Sequence, residues 1–135
     1  MKKNILIILF LTYGLNLKAQ SLIPESIIGI WKVENIINPP KNENFKLLID
    51  SFEKAEFIFN KNHSFKIQSK INNKLFSMIT EMTNISKWKV ENNVIKIGTE
   101  KDNYTVMEIQ LIEKLGKQYL YLGETTLTLE VTRRK

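Results

Sequence analysis

The chain is 135 residues long, holds no cysteine, and carries 20 lysines and arginines against 14 aspartates and glutamates. That length builds one hydrophobic core and not two. The missing cysteines remove disulfides, thiolate metal sites and a cysteine nucleophile from consideration. The lysines are scattered among asparagines and acids, not gathered into a stripe, which argues against a nucleic-acid partner.

Residues 1–19 read as a unit of their own. Lys2 and Lys3 form a positive start, Ile5 to Leu11 is an unbroken apolar run, and Leu17-Lys18-Ala19-Gln20 supplies a small-residue exit. That order predicts a secretory signal peptide cleaved after Ala19. The run is well short of the roughly 20 residues needed to cross a bilayer. No cysteine follows it, so no lipid anchor is expected. Losing Lys2, Lys3 and Lys18 with no acid leaves 17 basic residues against 14 acidic ones. A weak positive charge of that size suits a soluble, exported monomer, periplasmic or secreted. One domain, 20–135, is expected.

Past the leader, Pro24-Glu25-Ser26 can start a single helical turn. Gly29 to Ile37 opens the first strand, with Trp31, Val33, Asn35 and Ile37 predicted on one face. Asn38-Pro39-Pro40 ends it, because proline donates nothing to a ladder and restricts the residue before it. The period then changes. Phe45, Leu48, Ile49 and Phe52 fall at helical spacing after Asn44, a candidate N-cap. A short amphipathic helix is expected there, either plugging one end of a barrel or acting as a lid over its mouth.

Glu56 to Lys70 reads as a hairpin. Phe57 and Phe59 lead into the turn Asn60-Lys61-Asn62-His63, and Phe65 and Ile67 lead out. His63, the only histidine, has no partner in the sequence and reads as a solvated turn residue. Between Ile71 and Asn84 two faces compete. Leu75, Met78, Ile79 and Met82 fit a helix, whereas Phe76, Met78, Thr80 and Met82 fit a strand.

From Ile85 onward the pattern is strand and turn. Trp88 lies on a strand that turns at Asn92-Asn93, a pair that tolerates positive φ. Val94 to Thr99 returns, Glu100 to Asn103 turns, and a long strand from Tyr104 to Lys114 carries Met107, Ile109 and Leu111 on one face. Gly116-Lys117 turns into the strand ending at Gly123. In the last strand Leu127, Leu129, Val131 and Arg133 share a face. About eight strands at roughly ten-residue spacing predict an all-β, antiparallel, up-and-down eight-stranded barrel with one short helix after the first strand. First and last strands are neighbours in such a barrel, and there Arg133 can lie over the Trp31 ring.

A Gly-x-Trp opening the first strand, the aromatic hairpin from Phe57 to Phe65, the Trp88 to Asn93 hairpin and an arginine on the closing strand resemble lipocalins. The resemblance is to the short calycin-type barrels exported by Bacteroidota, whose leaders also end in the manner of Lys18-Ala19-Gln20. It covers most of the chain beyond the leader. It implies a lipocalin-like barrel closed by Gly29, Trp31 and Arg133, with a small hydrophobic or amphipathic ligand inside.

Residues that alternation turns inward make the candidate cavity lining: Phe57, Phe59, Phe65, Ile67, Trp88, Met107 and Ile109. The same side chains can instead fill a barrel of this size themselves. An envelope interaction module with a packed barrel is then the alternative. Glycine-rich phosphate loops, a Ser/His/Asp set and clustered metal ligands are absent from the sequence, so neither catalysis, a cofactor nor a metal is expected.

Overall fold

The computed structural model describes residues 22–134; the leader and its cleavage point after Ala19 lie outside them. Eight strands run β1 Gly29–Ile37, β2 Ala55–Phe59, β3 Phe65–Ser69, β4 Lys87–Glu91, β5 Val94–Gly98, β6 Met107–Lys114, β7 Lys117–Leu122 and β8 Leu127–Arg134. They form one sheet in the order β3-β2-β1-β8-β7-β6-β5-β4, and every paired neighbour is antiparallel. Two helices, α1 Lys46–Glu53 and α2 Lys74–Thr83, interrupt the meander. The fold is the expected up-and-down barrel, with the expected helix between β1 and β2.

Closure is almost complete. β3 and β4 meet through one bridge, Ser64 to Lys87, flanked by Trp88 N–H donating to His63 O at 2.8 Å and Phe65 N–H donating to Ser86 O at 3.2 Å. The rest of this seam is made by side chains. The Trp88 indole N–H donates to Asn60 O at 2.9 Å, and His63 Nδ1 lies 3.0 Å from Trp88 O. A carbonyl can only accept, so Nδ1 carries the proton. The His63 ring also stacks on Trp88 at 4.7 Å. His63 is therefore the exposed turn residue expected, but it has a partner the sequence did not show, Trp88.

Local chemistry sets the turns. Asn92 and Asn93 both have positive φ, 54° and 61°, and Leu115 and Gly116 repeat the arrangement at 52° and 78°. Two-residue turns with both central residues in this region match the twist of antiparallel strands. At β1 the expected alternation breaks. Val33 pairs with Val131 and Asn35 with Glu130, so Glu34 is an extra residue in a bulge. A bulge shifts the phase by one residue. Ile36 is buried in consequence, while Asn35 is exposed and Ile37 half-buried.

β6 starts at Met107, three residues later than Tyr104. A 3-10 turn, Glu100–Asp102, carries a capping box between Thr99 and Asp102. Asn103 and Tyr104 follow with φ of 59° and 56°. The Asp102 carboxylate accepts from the amides of Thr99 and Thr105 and from the Thr99 hydroxyl. These bonds, led by the Thr99 amide, hold its carboxyl below the usual range against an opposing desolvation effect.

The first helix is capped differently from expectation. The Asn42 side chain accepts from the Asn44 amide and opens a 3-10 turn, Glu43–Phe45, that runs into α1. Residues 71–84, which fit either period, form α2. Its cap is Asn73, whose Oδ1 accepts from the Phe76 amide at 3.0 Å. Phe76 and Thr83 are its buried residues and Ile79 is half-buried, whereas Leu75, Met78 and Met82 face outward.

The core fills the barrel. Trp31, Val33, Phe57, Phe59, Ile95, Ile97, Ile109, Leu120, Leu129 and Val131 point in from the strands, joined by Phe52 of α1 and Phe76 of α2. Phe52 and Phe76 meet edge to face at 5.5 Å, so the two helices are packed through aromatic rings.

Candidate binding groove

The residues picked from alternation separate into two groups. Phe57, Phe59, Phe65, Ile67, Trp88 and Ile109 are each no more than 3% exposed and belong to the core cluster. Phe59 stands 5.0 Å from Phe65 and 5.8 Å from Trp88, and Phe57 lies 6.3 Å from Phe65. These are ordinary packed-pair distances. A water-sized sphere reaches almost none of their surface, so the space between them is filled by their own rings. Met107 differs: it is half-buried and reaches a hollow outside the packed interior.

One end of the barrel is sealed by the segment before β1. Ile27 is fully buried there. The Trp31 indole N–H donates to Ile27 O at 2.7 Å. Arg133, paired directly with Trp31, holds its guanidinium 5.6 Å from the indole ring. Its Nε and Nη2 both donate to Ile28 O, at 3.0 and 2.6 Å, and Nη2 also donates to Glu25 O at 2.7 Å. The arginine thus ties the approach segment to the last strand. Gly29 permits the close approach: its φ is +137°, and a Cβ there would come within 2.8 Å of Arg134 O.

The helices frame a mouth beside the β7–β8 turn. Between α2 and that turn lies a hollow of about 120 Å³, lined by Ile79, Met82, Thr83, Val106, Met107 and Leu122. Between α1 and the turn lies a second, of about 350 Å³, lined by Pro40, Phe45, Leu48, Ile49 and Leu127. Glu124 and Thr125, at the tip of the turn, border both. Apart from Glu124 every lining residue is uncharged. α1 is therefore plug and wall at once, because Phe52 fills the interior while Leu48 and Ile49, with Phe45 of the preceding 3-10 turn, face the hollow.

Asn73 fixes how the two helices sit. Its Nδ2 donates to Leu47 O and to Ser51 Oγ of α1, both at 2.7 Å, while its Oδ1 caps α2. Ser69 Oγ, at the end of β3, donates to Ser51 O at 2.6 Å. No buried side-chain polar atom among the described residues lacks a partner, so these walls are held by satisfied bonds. Sequence periodicity had marked Leu48 and Ile49 as one helix face. Glu124 and Thr125 carried no such signal, because their role depends on a turn being folded back between two helices.

Among the described residues no three histidine, aspartate or glutamate side chains group so as to hold a metal ion, and no helix is long and apolar enough to cross a membrane. No protein family, no curated protein and no solved structure matches the chain.

Proposed function

We propose that this chain is an exported, lipocalin-like binding protein that takes a small apolar or amphipathic molecule at the barrel mouth, between α1, α2 and the β7–β8 turn. The carrying observation is the pair of apolar hollows that share Glu124 and Thr125. Small-molecule sites are concave, mostly apolar and furnished with few polar groups, and this mouth meets each condition. The eight-stranded barrel supports the lipocalin-like reading, and the leader read in residues 1–19 supports export. Binding, without catalysis, is the role this reading assigns.

A fluorescence titration with N-phenyl-1-naphthylamine, a neutral apolar probe, tests it. Enhanced emission that Leu48→Asp or Ile79→Asp abolishes is the expected result. A probe that stays dark with a folded protein sinks the reading.

A second reading, a packed interaction module of the envelope, has an observation of its own. α2 turns Leu75, Met78 and Met82 outward, and Met82 is 59% and the following Ile85 78% exposed. An apolar stripe of that kind fits a protein contact. It gains if the probe stays dark and Met78→Asp changes the protein's elution as a complex.

A further inference from the structure

The walls of the mouth are apolar, and the one charge on them is negative. Glu124 borders both hollows, and it enters none of the ion pairs found among the described residues, which join Glu91 to Lys89 and Lys96, Glu130 to Lys117, and Glu56 to Arg134. No lysine or arginine lines either hollow. An anionic amphiphile seated there would place its head beside an unneutralised carboxylate with no cation to receive it. A cationic head would find the complementary charge, and a neutral hydroxyl could donate to the carboxylate or to Thr125.

We infer that the mouth selects amphiphiles with a cationic or neutral hydrogen-bond-donating head and discriminates against carboxylates, with Glu124 as the selecting residue. The inference rests on the binding role proposed above and adds the chemical class of the ligand to it. A charge brought beside the Glu124 carboxylate interacts with it through a partly solvated path, so each contribution is modest. Attraction for an amine and repulsion for a carboxylate add in the comparison. Because Glu124 is exposed on its turn, solvent screening holds the preference to about three- to tenfold.

The test uses three ligands with one tail, decylamine, 1-decanol and decanoate, titrated at pH 7 into the 15N-labelled protein and followed by amide chemical shifts. Decylamine is expected to bind about three- to tenfold more tightly than decanoate, with decanol between them. The shifts should centre on residues 45–49, 79–83, 106–107 and 122–127. Glu124→Gln, a change on an exposed turn, should bring the three dissociation constants together.

If all three bind the mouth equally and Glu124→Gln changes nothing, the selectivity is overturned while the binding role stands. Decanoate binding most tightly overturns it too. If none of the three shifts the mouth residues, the binding role itself falls, and the selectivity with it.

Discussion

Replacing Arg133 with methionine keeps most of the side-chain volume and removes the guanidinium. Three hydrogen bonds are lost, two of them to Ile28 O and one to Glu25 O. Glu25 is exposed, so water can replace the bond to its carbonyl. Ile28 is half-buried and faces the barrel end, so its carbonyl loses both donors at once. Leaving such an acceptor unsatisfied costs about 1–3 kcal/mol. Loss of the cation from the Trp31 face adds about 0.5–1 kcal/mol at this half-exposed position.

The expected loss is therefore about 1.5–4 kcal/mol, a large share of the stability of a domain this size. Urea unfolding followed by tryptophan emission measures it, since Trp31 and Trp88 are both buried. Arg133→Lys should fall between wild type and methionine, because an ammonium keeps the charge but not the planar fork. A methionine variant within about 0.5 kcal/mol of wild type, at an unchanged m-value, would refute the claim that this arginine holds the barrel end together.

Gly98→Ala should be strongly destabilising. Its φ is +155°, and an added Cβ would lie 2.6 Å from the Tyr104 Cα, a backbone atom with little room to yield; a thermal midpoint equal to wild type would contradict this. Asn73→Ala removes a helix cap and both ties to α1, for about 1–3 kcal/mol. Its amide exchange should quicken in α1 as well as α2, whereas a change confined to α2 would show that the ties do not couple the helices. Asp102 has a lowered carboxyl pKa, so its contribution is present above the ordinary carboxylate range and disappears as pH falls through the folded value. Urea midpoints of wild type and Asp102→Asn should differ at pH 7 and converge as the pH falls through and below the ordinary carboxylate range; a gap that stays constant over that fall would remove the assigned role.

Much of the barrel was legible from residue order. Period-two alternation placed Phe57, Phe59, Phe65 and Ile67 inward, and Leu127, Leu129 and Val131 likewise, because side chains on a strand must alternate between faces. Asn92-Asn93 marked its hairpin because asparagine tolerates positive φ at low cost. The Trp31–Arg133 pairing could be anticipated because first and last strands must be neighbours in a closed meander.

Other features depended on contacts between distant segments. The bulge at Glu34 follows from the register against β8, which no window within β1 encodes. α2 was ambiguous because Met78 and Met82 satisfy both periods, and its buried face is set by Phe76 meeting Phe52. His63 acquires a role only when the β2–β3 turn reaches β4, 25 residues away.

The mouth depended on tertiary structure most of all. Composition and alternation determined that the chain folds as a small all-β barrel with an aromatic interior, since burying apolar side chains at period two leaves few alternatives. Whether that interior is hollow or filled was decided only by the packing of its rings. Glu124 and Thr125 became candidate site residues only because the β7–β8 turn lies between two helices that arrive from elsewhere in the chain.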